Sequence, residues 1–127
     1  MESLADPAGE VELEFAYRPT PEHECWVADV AFVSRERCDL IPLDGYLGGA
    51  PDLVIEVLSP SNRDAEIEEK RKLCLGNSSR EFWVVDDEDR EIKVSTPDGR
   101  TVTYLAGQQI PLFFAPGSVL SVEDIFS

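Results

Sequence analysis

The sequence predicts an α/β (α+β) fold in which a mixed β-sheet is flanked by a helix. Two observations carry this. Three short runs, 26–33 (WVADVAFV), 52–58 (DLVIEVL) and 82–85 (FWVV), are β-rich and nearly all apolar, as strands covered on both faces are. Only one segment, 63–75, has apolar residues at helical spacing. The whole chain is 127 residues, and a chain of this length is expected to form one domain with one core, 1–127.

The elements follow in order. Residues 1–10 are polar and expected to be loose. Val11 to Tyr17 (VELEFAY) alternates apolar and acidic side chains, the sign of a half-exposed strand. Pro19 and Pro21 make a turn before the strand 26–33. A loop is expected from Ser34 to Pro51, with Pro42, Gly45, Gly48 and Gly49. The strand 52–58 stops at Ser59-Pro60, and Ser61 or Asn62 can cap the helix that ends at Gly76-Asn77. After the strand 82–85 comes an acidic turn, Asp86 to Asp89. Strands 91–95 and 101–105 flank Pro97-Asp98-Gly99, a hairpin signal. Pro116-Gly117 forms a turn, and 122–126 a short terminal helix. The order is β-β-β-α-β-β-β.

Composition narrows the function. There are 26 acids against 11 bases, a formal charge of −15. That argues against a protein held to nucleic acid by phosphate attraction alone, and leaves room for a small basic patch or a metal bridge to phosphate. No run reaches the ~18 apolar residues that span a bilayer. The N-terminus has neither the basic nor the apolar region of a signal peptide. Three cysteines, Cys25, Cys38 and Cys74, without a CxxC pair make a disulfide framework or zinc knuckle unexpected. A reduced, cytoplasmic protein is the expectation. His23 is the only histidine, so a hydrolase built on Cys74 or a serine has little support, with no histidine placed to act as base.

The informative feature is charge placed in core segments. In DLVIEVL, alternation puts Asp52, Val54, Glu56 and Leu58 on one face. A glutamate inside a core strand is costly unless it is paired or bound to metal. Asp29 poses the same problem in WVADVAFV. With Ile67 set at zero and about 100° per residue, Lys70 falls at about −60°, Leu73 at about −120° and Cys74 at about −20°. Lys70 therefore lies within the apolar stripe, while Lys72, at about +140°, faces solvent. Carboxylates plus a lysine suit a divalent cation held by oxygen and a cation that offsets charge on a phosphate. The pattern alone leaves bland readings open: Glu56 facing water on an edge strand, Asp52 as a turn residue, Asp29 as a structural acceptor, and Lys70 snorkelling outward.

Three blocks, ADVAFVSRERC, GYLGGAPDLVIEVLSPSNRDAEIEEKRKL and EFWVVDDEDREIKV, occur in this order. They resemble the Uma2 family (DUF820), bacterial restriction-endonuclease-like proteins of the PD-(D/E)xK nuclease superfamily. The resemblance runs from about residue 25 to the closing LSVEDIF. It implies a restriction-endonuclease-like core, a metal-dependent endonuclease acting on DNA, and Mg²⁺ or Mn²⁺ as cofactor. Residue by residue, it implies Asp29, Asp52 and Glu56 as metal ligands and catalytic residues, with Lys70 completing the site. The superfamily's E-x-K lysine would fall at position 58, where this chain has Leu58; Lys70 matches the lysine of the following helix. Ala28 stands where the family usually has proline, and Cys74 where it often has an aromatic. The chain is also short at its N-terminus relative to the family, whose members carry a further helix there. That difference gives a second expectation: a catalytically degenerate, homodimeric interaction or regulatory protein with an exposed apolar face.

Overall fold

The computed structural model of the chain describes residues 9–41, 47–58 and 64–126. The elements are β1 (Gly9–Arg18), β2 (Trp26–Ser34), α1 (Arg35–Cys38), β3 (Leu47–Gly48), β4 (Leu53–Val57), α2 (Asp64–Gly76), β5 (Glu81–Asp86), β6 (Glu91–Ser95), β7 (Thr101–Leu105), β8 (Gln109–Pro111), β9 (Val119–Ser121) and α3 (Val122–Phe126). Seven strands form a mixed sheet in the order β3-β1-β2-β4-β5-β6-β7, and β8 and β9 form a separate hairpin. The expected mixed sheet with few helices is what forms. No helix among the described residues is long and apolar enough to cross a membrane.

β4 and β5 pair in parallel, so the chain must cross over between them, and α2 makes that crossing. The other main pairings, β1 with β2, β2 with β4, β5 with β6 and β6 with β7, are antiparallel. One face of the sheet packs Phe32, Leu53, Trp83, Ile92 and Val94 against the C-terminal segment. There Phe114 stacks on Phe32 with ring centroids 4.1 Å apart. The opposite face packs Tyr17, Ala31, Val54 and Phe82 beneath Cys74 of α2. The alternation read in β4 thus separates Leu53 and Ile55 from Val54 and Glu56, and the Glu56 side lies under α2.

Alternation breaks at one place. In β1, Val11 packs on the C-terminal-segment face but Phe15 and Tyr17 pack on the α2 face. In β2, Phe32 and Ala28 divide in the same way. The switch falls at Glu14, which adopts φ +49°, opposite Asp29.

Several expectations need correction. Residues 9 and 10 are not loose: Gly9 pairs with Ser34, and Glu10 forms an ion pair with Arg35. A side chain at Gly9 would not fit, because its Cβ would lie 2.2 Å from the Val33 carbonyl oxygen. The segment Ser34 to Pro51 is not all loop, since α1 and β3 interrupt it. Residues 1–8, the Ser59-Pro60 stop, the cap at Ser61 or Asn62, Arg63, Pro42 and Gly45 lie outside the described residues.

Candidate active site beside helix α2

Asp29, Glu56 and Lys70 line one cleft of about 570 Å³, together with Val27, Glu66 and Ile67. Register brings the two acids together. The pairs Val30↔Ile55, Ala31↔Val54 and Phe32↔Leu53, continued by one residue, put Asp29 opposite Glu56. Asp29 is exposed, and its Oδ2 accepts the Val57 backbone N–H at 2.7 Å. α2 then brings Lys70 over the pair, with Nζ 3.5 Å from Glu56 Oε1. The ammonium also lies 5.7 Å from the centroid of the Trp26 ring, within cation–π range. Trp26 is in turn edge-on to Tyr17 and His23.

Glu56 is the anomalous group. Its side chain is only 5% exposed, and Oε2 has no hydrogen-bond partner among the described residues. Burial pushes its carboxyl up from 4.5 to about 7; Lys70 pulls it down, and the Asp29 charge pushes it up. A buried carboxylate oxygen left without a donor costs roughly 1–3 kcal/mol, so its persistence calls for a reason. A divalent cation would supply one. Asp29 and Glu56 are hard oxygen donors, and two protein carboxylates with water completing the shell is an ordinary set for Mg²⁺. The residues present therefore fit the metal that the family resemblance implies.

Asp52 lies elsewhere. It is buried at the start of β4, where its Oδ1 accepts from Arg37 Nη1 at 3.1 Å and from the Ser34 amide at 3.0 Å. Arg37 also donates to the Gly48 carbonyl. Asp52 thus ties β4 to the ends of β2 and β3. It is four residues from Glu56, about 13 Å along an extended strand, too far to share an ion. Sequence alternation put both acids on one face but could not show this separation in function, because Arg37 gives no sequence signal for its partner.

Cys74 is fully buried, and its Sγ lies 3.2 Å from the Tyr17 hydroxyl. Burial pushes its thiol up to about 11, so it is not a nucleophile at neutral pH. The acidic turn is more than a run of charge. Asp86, Asp89 and Glu91 bring carboxylate oxygens within 4.8 Å of one another, a group that could bind a metal ion. The sequence shows 86–89 as an acidic turn, and only the β5–β6 pairing sets Glu91 beside Asp86.

The fold has counterparts among known proteins. No curated protein matches the chain. Among solved structures, the chain is similar to a "putative nuclease belonging to DUF820" from Anabaena variabilis, with a TM-score of 0.79 and 23% identity. The match covers 94% of this chain and 69% of the other, and at that identity it speaks to the fold. The profile of the Uma2 family, described as "Putative restriction endonuclease", matches residues 8–127. The chain belongs to the Uma2 family.

Proposed function

We propose that the chain is a metal-dependent endonuclease that hydrolyses DNA phosphodiester bonds at the cleft of Asp29, Glu56 and Lys70. The observation that carries this reading is the buried Glu56 carboxylate, with one oxygen at Lys70 and the other without a donor. Asp29 and Glu56 would hold Mg²⁺ or Mn²⁺. Such an ion, when bound, polarises the phosphate and lowers the pKa of a coordinated water.

The chain's own residues do the rest. Glu56 must be ionised to serve, and Lys70 favours that form. Lys70, itself only partly exposed, is placed to donate to a non-bridging phosphate oxygen as charge builds there. The Trp26 face keeps the ammonium over the cleft. Asp52 holds β4 in place and is left out of the metal set.

Cleavage of supercoiled DNA with Mg²⁺ or Mn²⁺, by wild type and by Glu56→Gln, tests the reading. Metal-dependent nicking by wild type that is lost in the variant supports it. Absence of nicking by a folded wild type overturns it.

One observation favours a second reading, a homodimeric interaction or regulatory protein without catalysis. Leu13 in β1 is 73% exposed and Val27 in β2 is 50% exposed, apolar surface of the kind that subunit interfaces cover. A monomer by light scattering would remove that reading.

A further inference from the structure

A second cleft, of about 380 Å³, opens on the other flank of α2. Ile67 lines both clefts, so they share part of their floor. Helical geometry explains the division. Lys70 and Arg71 are about 100° apart, so they leave the helix on opposite sides of Ile67. Lys70 enters the first cleft and Arg71 the second.

The second cleft gathers positive charge. Arg71 and Lys93 line it, with the hydroxyls of Ser95 and Thr101, which hydrogen-bond to each other at 2.9 Å. Arg71 and Lys72 line a further cleft beside it. In a chain of net charge −15, three bases thus stand together, with Glu68 as the only acid among the described residues lining the two clefts. Arg71 pairs with Glu68 and Lys93 with Glu91. These are surface pairs, each worth roughly 0–1 kcal/mol, too little to keep either cation from a phosphate.

Register fixes the separation from the candidate active site. Glu56 pairs with Val84, and Val84 with Lys93, so all three share one row and one face of the sheet. Two strand spacings put Lys93 about 10 Å from Glu56. That is within the reach of neighbouring phosphates on one DNA strand.

We propose that the cleft of Arg71 and Lys93 binds a phosphodiester of substrate DNA that flanks the bond lying at Glu56. The proposal rests on the reading of the chain as a DNA nuclease, and it gives that reading its phosphate anchor. It also accounts for how so acidic a protein holds a polyanion: attraction is local, and the remaining surface repels strands that are not seated in the cleft.

The test measures binding without cleavage. Anisotropy of a fluorescein-labelled duplex is followed with the full chain in EDTA, at stepped salt. Arg71→Gln/Lys93→Gln is compared with Arg35→Gln/Arg90→Gln, which removes the same charge elsewhere, and with Arg71→Lys/Lys93→Arg, which keeps the charge in the cleft. The expected result is roughly tenfold weaker binding by the first variant and a slope of log K against log salt reduced by about 2. The charge-keeping variant should bind as wild type, and the displaced-charge variant should lose less than about threefold. Equal losses in both neutralised variants, or no loss in either, overturns the proposal; so does absence of binding by wild type. Cleavage is read separately with Mg²⁺. A wild type that binds through Arg71 and Lys93 but never cleaves supports the anchor and overturns the nuclease reading. A wild type that cleaves while the cleft variant binds undiminished does the reverse.

Discussion

The Lys70 ammonium stands 3.5 Å from one oxygen of Glu56, while the other oxygen of the same carboxylate is buried without a donor. The arrangement is half satisfied. It gives the folded chain a charge whose cost depends on pH and on what else enters the cleft.

The pH dependence of stability follows from that cost. Between pH 4.5 and about 7 the folded chain keeps a proton on Glu56 that the unfolded chain has released. Stability therefore falls as pH rises through this window, by about 3 kcal/mol in total. Glu56→Gln removes this dependence. In denaturant melts at pH 8 without metal, the variant is expected to be more stable than wild type by about 1–3 kcal/mol, and at pH 4.5 by much less. A variant less stable than wild type at pH 8 would contradict the placement of this charge.

Metal affinity should have the opposite trend. A cation competes with the proton on Glu56, so binding weakens as pH falls through about 7. Calorimetry with Mn²⁺ at pH 6 and pH 8 should show affinity about tenfold lower at pH 6, with proton release on binding. In the Glu56→Gln variant both the binding at this cleft and the proton release should be absent. Residual binding with no pH dependence would be assigned to Asp86, Asp89 and Glu91 at the β5–β6 turn.

Removing Lys70 separates its electrostatic part from its packing. Lys70→Met keeps the aliphatic stem against the helix stripe but deletes the charge that favours ionised Glu56. The Glu56 carboxyl should then titrate higher still, visible by carbon-13 NMR of labelled glutamate. Cleavage at saturating metal is expected to fall by about 10²–10³, the loss found when one donor to a developing oxyanion is removed. Cleavage at the wild-type rate would remove Lys70 from the proposed mechanism.

Much of this fold was legible in the sequence, for local reasons. DLVIEVL and FWVV have the continuous apolar character of strands buried on both faces, and they became β4 and β5. The helix expected at 63–75 is Asp64–Gly76. β3 was not legible, because two residues become a strand only through pairing with Tyr17 and Arg18. The β8–β9 hairpin was marked only by its turn at Pro116-Gly117. In the site, the helical wheel turned Lys70 inward because side-chain direction on one helix is local information. The meeting of Asp29 with Glu56 is a matter of register between strands far apart in sequence, which periodicity does not encode. The face switch at Glu14 and Asp29 has the same origin. It is a backbone event at a residue type that ordinarily avoids positive φ.

Asp52 and Asp29 should part company under mutation, and this contrast tests the division of roles most sharply. Asp52 is buried and accepts from Arg37 and the Ser34 amide, so Asp52→Ala strands a guanidinium that is only 19% exposed. Losing a partner to a charged group of this kind costs about 1.5–3 kcal/mol, and more where the remaining charge stays buried. Asp29 is exposed and accepts the Val57 backbone N–H, so Asp29→Ala should cost about 1 kcal/mol. Metal affinity should order them the other way, with Asp29→Ala losing Mn²⁺ binding at the cleft and Asp52→Ala retaining it. Paired thermal melts and calorimetry on the two variants read both quantities. If Asp52→Ala lost metal while keeping its stability, β4 would have to carry its ligand at position 52, and the cleft beside Lys70 would not be the metal site.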